Sequence, residues 1–332
     1  MLKRYETPQV RNRGRRIIQA ELSTQKSIVD AVGTVVEELR SRIAASVTAP
    51  FAHAPYPLAR TREHTGDPGL LGPGSVSWMV IADIAAFVGG IRGLLIQAAH
   101  PEVVAGVSDH SRYREDPLGR LSRTSAYIAA STFGSMPEVN QAIGRVRRVH
   151  GVVRGVSSRG IPYSADDPGF SAWVHNALTG SFLNTHFAYG GIPISQSDAD
   201  RFVVEQARIG ALLGAKPIPQ THAELSYWIE HHPELAPSPE MEDAVEFLTD
   251  PPLPLGVKLG YRVLLEAAIV TIPKRIRDIL GVTPALGAAR VGRSAVAGLR
   301  WALGYSPSWR LALERCDQDV PEHLFKQRPR VA

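Results

Sequence analysis

The sequence predicts an all-α protein, and three observations carry that prediction. Helix starts recur with the chemistry that helix starts need. Asp116-Pro117 and Asp167-Pro168 place an N-cap carboxylate before a proline at the first helical position, and Ser135-Met136-Pro137-Glu138 has the form of a capping box. Apolar residues return at three- and four-residue steps, the helical period. No alternating strand pattern, internal repeat or long low-complexity tract interrupts them.

Taken in order, residues 1–22 read as a basic arm (Lys3, Arg4, Arg11, Arg13, Arg15, Arg16), and Ile17-Ile18 gives way at once to Gln19 and Glu21, so no secretion signal is supported. A helix follows over 27–45, with Ile28, Val32, Val35, Leu39 and Ile43 in register. The Pro/Gly-rich stretch 50–73 reads as a loop. Residues 75–99 approach a membrane span in length, but Asp83, Arg92, Gln97 and three glycines favour a buried helix pair, bent near Gly89-Gly90. His100-Pro101 ends that run and a short helix begins. Helices are then expected over 117–133 and 137–153, a loop over 156–167, and a helix from Pro168 carrying Trp173, His175, Leu178 and Phe182. Further helices are expected over 197–213, 221–231, 239–248, 255–281 and 285–303. Glu230-His231-His232 resembles a ligand cluster, yet helix neighbours point apart, so it reads as a solvated helix end. Residues 23–320 form one helical domain in this reading and 321–332 a frayed tail.

Composition narrows the chemistry. With 332 residues, 44% of them hydrophobic, the chain can bury a large core. The single Cys316 excludes an internal disulfide, a Cys-rich metal site and covalent c-type haem, and a reducing, cytoplasmic compartment is the simplest reading. The net charge of +5 admits an anionic membrane surface, and Lys274, Arg275, Arg277, Arg290, Arg293 and Arg300 either suit peripheral membrane contact or form an ordinary solvated face. Aromatic residues are only 7% and no nucleic-acid motif is present, so no nucleic-acid partner is expected. No Glu stands three residues before a His, which removes the paired di-iron motif, and neither a nucleophile elbow nor a Walker loop occurs.

The stretch 100–150 concentrates the remaining chemistry. Val139, Ile143, Val146, His150 and Val153 share one helical face, which puts an imidazole on an apolar stripe; periodicity alone favours a core histidine satisfied by a hydrogen bond. Arg120 and Thr124 lie four apart and project together, either as an ordinary helix-surface pair or as a cation and hydroxyl facing a ligand.

His100-Pro101, His110-Ser111, Asp116-Pro117, Arg120-Leu121-x-x-Thr124, His150 with Gly155, and Trp173-Val174-His175 together resemble the signature of the DUF2236 family, the MpaB-like and rubber-oxygenase (latex clearing protein) catalytic domain. The resemblance covers most of the chain, to Arg315. It implies a globin-related helical core with additional helices, a non-covalent haem b, and an O₂-activating oxygenase acting on an apolar, isoprenoid- or lipid-like substrate. His150 matches the proximal iron ligand of that family, and Arg120 and Thr124 match polar residues near the haem. Arg123 stands where some rubber oxygenases carry a distal lysine, and the acidic base of those enzymes has no match in the pattern. Arg147 and Arg154, with Arg145 and Arg148, are then candidates for the haem propionates or form a solvated face. His110 reads as a second axial ligand, a distal acid-base group or, preferred, a loop-stabilising residue. His175 reads as a packing residue behind the ligand. Two other readings stay open: a haem carrier or sensor with both axial positions filled by protein, and a haem-free helical protein that binds an apolar ligand.

Overall fold

A computed structural model describes residues 34–49, 53 and 55–327. Within the first compact unit, residues 1–46, the described part is helical, and the helix expected over 27–45 is therefore seen only from residue 34; the basic arm lies outside the described residues. The second unit, residues 47–332, holds all that follows. Its helices are α1 (Val76–Ala82), α2 (Ala85–Ala98), α3 (Pro101–His110), α4 (Pro117–Phe133), α5 (Met136–His150), α6 (Pro168–Tyr189), α7 (Gln196–Leu212), α8 (His222–Glu230), α9 (Pro239–Thr249), α10 (Leu255–Val270), α11 (Lys274–Leu280), α12 (Ala288–Leu303) and α13 (Pro307–Arg315). The fold is all-α apart from one short hairpin.

The capping residues act as the sequence requires. The Asp116 side chain accepts from Gly119 N, Asp167 from Gly169 N and Phe170 N, and Ser238 from Met241 N; Ser135 N donates to Glu138 Oε2. Each satisfies backbone donors that a first helical turn leaves open.

The apolar stretch 75–99 is two helices, as its charges require, but the bend of 88° falls between α1 and α2 and not at Gly89-Gly90. Asp83 is the cause. Its Oδ1 accepts from Ala85 N and its carboxylate receives Arg300 Nη2 at 2.6 Å and Nε at 3.0 Å, while Gly191 N donates to Oδ2. A carboxylate 3% exposed is thereby neutralised by a residue far along the chain. Arg300 is thus an internal clamp and not part of a solvated face. Among the described residues, no single helix is long and apolar enough to cross a membrane.

The core centres on the crossing of α2 and α6, the most extensive helix pair of the unit. Gly89 makes it possible: a Cβ there would stand 2.7 Å from Phe182 Cδ1 and 2.9 Å from Thr185 Oγ1. Around it pack Trp78, Leu95, Ile96, Phe133, Trp173, Leu183 and Phe202, all essentially buried. Arg92 is buried here without a carboxylate; it donates to Ser181 Oγ and to the Thr271 carbonyl, and burial lowers its pKa to about 9.

Three further expectations are corrected. The region 156–167 is not only loop: β1 (Arg154–Val156) and β2 (Pro162–Ser164) pair antiparallel, Gly155 opposite Tyr163. Region 255–281 divides into α10 and α11 at Pro273, which cannot supply an interior helix N–H. Helix α5 stops at His150, so Val153 leaves the expected stripe. At the end of the chain, Phe325 is buried and bridges Gly304, so the segment to that point is docked.

Candidate functional site

Two histidine-bearing regions emerge. The first is the α4–α5 unit. Its connecting turn is held rigidly: Arg315 Nη1 donates to the Phe133 carbonyl and to Thr61 Oγ1, and Met136 N donates to Asp67 Oδ2. Val139 and Ile143 are buried against Ile209, but the stripe opens along the helix; Val146 and His150 are only part-buried. His150 ends α5, and its ring makes no hydrogen bond among the described residues. Burial lowers its pKa, opposed by the nearby Asp166 carboxylate, so the imidazole is neutral near pH 7. That is the protonation state an iron ligand needs.

On α4, Arg120 is part-buried, donates to Ser111 Oγ and lies with its guanidinium carbon 5.9 Å from the Tyr113 ring centre. Burial lowers its pKa, helped by Arg123 and opposed by Tyr113. Thr124, one turn on, is part-buried. Arg123 is exposed and pairs with Asp116 Oδ2 at 3.0 Å, which makes it a helix-start brace. No hydrogen bond or ring contact joins His150 to Arg120, Arg123 or Thr124 among the described residues. Arg147 is exposed, and Arg154 Nη2 donates to the Gly151 carbonyl.

The remaining sequence candidates are placed elsewhere. His110 shares a hydrogen bond with the Arg154 carbonyl at 3.1 Å and stands edge-on to Tyr163, which is the loop-stabilising role. His175 is 7% exposed between α6 and α7, where a Cβ on Gly210 would meet its ring at 2.7 Å; burial lowers its pKa to about 4. Its ring is packed against Gly210. His186, three turns on, acts separately, its Nε2 donating to the Ile192 carbonyl.

The second region is one that spacing does not reveal. Helix α8 stops at Glu230, so His231 and His232 do not continue on it. His231 stays outside, bonded to the Tyr227 carbonyl and stacked on its ring. His232 turns inward to His100, with ring centres 5.3 Å apart. His100, 1% exposed at the start of α3, has Glu234 Oε2 2.9 Å from Nε2 and Glu102 Oε2 3.5 Å from Nδ1. Phe170, Trp173 and Trp228 wall the pair. Burial lowers the pKa of both rings, that of His232 to about 4. The expectation of a solvated helix end therefore fails for His232. The only signal available was two histidine-containing runs, His100-Pro101 and His231-His232, with nothing to pair them.

Among known proteins, residues 78–301 match the family described as ER-bound oxygenase mpaB/B'/rubber oxygenase, catalytic domain. Two mycobacterial relatives, the uncharacterized protein Rv2237 of Mycobacterium tuberculosis and the uncharacterized protein Mb2261 of Mycobacterium bovis, are each 30% identical over 125 residues, covering 36% of this chain. The chain spans about half the length of these curated relatives, 48% of each. No solved structure matches. The match covers the stretch from α1 to α12, both histidine regions included, and the chain belongs to the mpaB/rubber-oxygenase catalytic-domain family, an oxygenase family.

Proposed function

We propose that the chain is a haem b-dependent oxygenase acting on an apolar, isoprenoid- or lipid-like substrate, with His150 as the axial ligand of the iron. The observation that carries this is the state of His150: part-buried, neutral near pH 7, and without a hydrogen-bond partner among the described residues, in a chain whose family is an oxygenase catalytic domain. The residues fit the group at that position. A ring nitrogen is available, and the Asp166 carboxylate acts on the ring electrostatically, opposing the effect of burial. The fit does not extend to a second ligand, since His110 is engaged with a carbonyl and His175 is enclosed by Gly210.

Haem, when bound, supplies the redox chemistry on O₂. The chain's own residues then hold and tune it. Arg120, a part-buried cation held beside Tyr113 and Ser111, would stabilise negative charge at the haem, such as that of a propionate. The Thr124 hydroxyl donates a hydrogen bond on the same helix face. Arg147 and Arg154, exposed at the end of α5 and in β1, are the propionate partners in this reading. The globin-related arrangement implied by the family signature belongs to the same proposal. So do a cytoplasmic location and peripheral membrane contact, supported by exposed Leu255, Leu259, Val291 and Trp301 on α10 and α12, helices that also carry Arg262, Arg290 and Arg293.

The test is the absorption spectrum of the purified protein, ferric, reduced and with CO, together with a pyridine haemochrome assay. About one haem b per chain and a CO-shifted Soret band are expected, with haem lost in His150→Ala. Wild-type haem content in that variant sinks the ligand assignment. A reduced protein that binds haem but not CO favours the carrier, and no haem after reconstitution favours the haem-free binding protein.

A further inference from the structure

The region around His100 contains a second set of donors that the haem reading does not use. The ligand atoms of His100, His232 and Glu234 all lie within 4.8 Å of one another. We propose that these three residues form a site for one divalent first-row transition-metal ion, two imidazoles and a carboxylate with the remaining coordination open to water.

Donor chemistry supports the class. Two nitrogens and one oxygen suit Zn²⁺, Fe²⁺ or Co²⁺, whereas Ca²⁺ and Mg²⁺ take oxygen ligands. Metal–ligand bonds of about 2.0–2.2 Å put two donors on a tetrahedral ion roughly 3.3 Å apart. His100 Nε2 and Glu234 Oε2, at 2.9 Å, already stand near that spacing. The remaining closure falls to His232 and to Glu234, whose side chain is 54% exposed and free to turn. That exposure also puts the open position on the solvent side.

His100 is the stronger argument. Its two ring nitrogens face two different carboxylates, Glu234 at Nε2 and Glu102 at Nδ1, yet a neutral imidazole has only one N–H. Nδ1 is buried and without a hydrogen bond, 3.5 Å from Glu102. A metal ion on Nε2 resolves this: it takes the place of the Nε2 proton, and the remaining proton sits on Nδ1, directed at Glu102. This is the carboxylate–histidine–metal arrangement that orients metal-binding imidazoles. Glu102 is itself fixed, receiving Arg159 at 2.6 and 3.0 Å and Ser157 Oγ at 3.0 Å.

The loop bearing the other two ligands is pinned before any ion arrives. Ala236 N donates to the Ala99 carbonyl, and Arg275 donates to the carbonyls of Glu230 and His232. Of the two nearby guanidinium groups, Arg159 is neutralised by Glu102, while Arg275 donates to carbonyls and keeps its charge, the one repulsion that an ion here has to overcome. One contact competes, Glu234 N to His232 Nδ1 at 3.4 Å, and it is long enough to be given up as the ring turns. Phe170, Trp173 and Trp228 supply the apolar wall that keeps the imidazoles in place.

The experiment is a Co²⁺ titration of the chelator-treated full chain, followed in the visible region and by thermal unfolding, with Zn²⁺ as competitor. One equivalent is expected, giving the absorption of low-coordinate Co²⁺, bleached by Zn²⁺ and accompanied by a higher unfolding midpoint. His232→Ala and Glu234→Ala, which alter a half-buried ring and an exposed carboxylate, should abolish the signal while keeping the fold by circular dichroism. His100→Ala should do the same, but the two loop variants decide the matter if it fails to fold. No saturable one-to-one binding, or binding retained in both loop variants, overturns the proposal. His150→Ala is expected to leave the Co²⁺ signal intact, so failure of the haem reading and failure of this one are read separately.

Discussion

The His150 region and the His100 region offer the same functional group in opposite physical settings. His150 closes a helix whose apolar stripe is running out, its ring part-buried and acted on electrostatically by the Asp166 carboxylate. His100 is 1% exposed, packed on two aromatic side chains and another imidazole, with a carboxylate at each ring nitrogen. A large planar cofactor needs an axial ring nitrogen that is uncommitted, as that of His150 is among the described residues. A small ion needs the setting of His100, where donors converge within a few ångströms and a second layer fixes them. Two residues of one type thus point to two different ligand sizes because of what surrounds them.

The largest effect expected is a double dissociation between these regions. His150→Ala should remove haem, by pyridine haemochrome and Soret absorbance, and leave Co²⁺ binding at one equivalent. His232→Ala should do the reverse. If either substitution removes both ligands in a folded protein, the regions are one site and the contrast drawn between them collapses.

Only part of this was legible in the sequence. Helix starts at Asp116, Ser135, Asp167 and Ser238 were visible because capping is settled by residues three apart or fewer. The α1–α2 elbow was misplaced to Gly89-Gly90 because its cause, the Asp83–Arg300 pair, spans 217 residues. Gly89 serves close packing against Phe182 instead. At the site, the order of motifs identified the family and the α4–α5 unit, but His232 is inward only because α8 ends at Glu230. A helix continued by one more turn would have pointed His231 and His232 apart, as neighbours on a helix do. Periodicity cannot see where a helix lets go, nor pair residue 100 with residue 232.

Acid sharpens the contrast through depth of burial. His175, enclosed between α6 and α7, has its pKa lowered to about 4 by burial, against about 6.5 for an exposed imidazole. A lowered histidine pKa means that the unfolded chain binds the proton more readily, so stability is full above pH 6.5 and is lost as pH falls toward 4. The loss from this residue is roughly 3 kcal/mol across that window. His232, lowered to about 4 but half-buried, adds in the same direction by a smaller amount. Urea unfolding at pH 7 and pH 4.5 measures it, and His175→Gln should flatten the profile. A profile unchanged by that substitution would place the acid sensitivity in other groups.

Glu102 separates the two regions at a finer level. Burial pushes its carboxyl up, but hydrogen bonds from Arg159 and Ser157 outweigh this and hold it below the usual range. Glu102→Gln weakens the Arg159 contact and the partner of His100 Nδ1 together. A stability loss of roughly 1–3 kcal/mol is expected, with Co²⁺ affinity falling roughly 10- to 100-fold and haem content unchanged. Equal Co²⁺ affinity in the variant would show that Glu102 does not orient His100.

Arg123 gives the smallest structural effect and the cleanest reading of the haem side. It is exposed, its partner Asp116 keeps the cap to Gly119 N without it, and surface ion pairs add little to stability. Arg123→Ala should therefore leave the urea midpoint within error of the wild type. Activity is a separate matter, because the family signature puts this position where some rubber oxygenases carry a distal lysine. If Arg123 serves the reaction, O₂ consumption with an apolar substrate falls in Arg123→Ala while haem content and stability hold. If all three stay at wild-type values, Arg123 is a brace for the start of α4. Arg120 and Thr124, part-buried on the same helix, are then the polar groups left to serve the proposed haem.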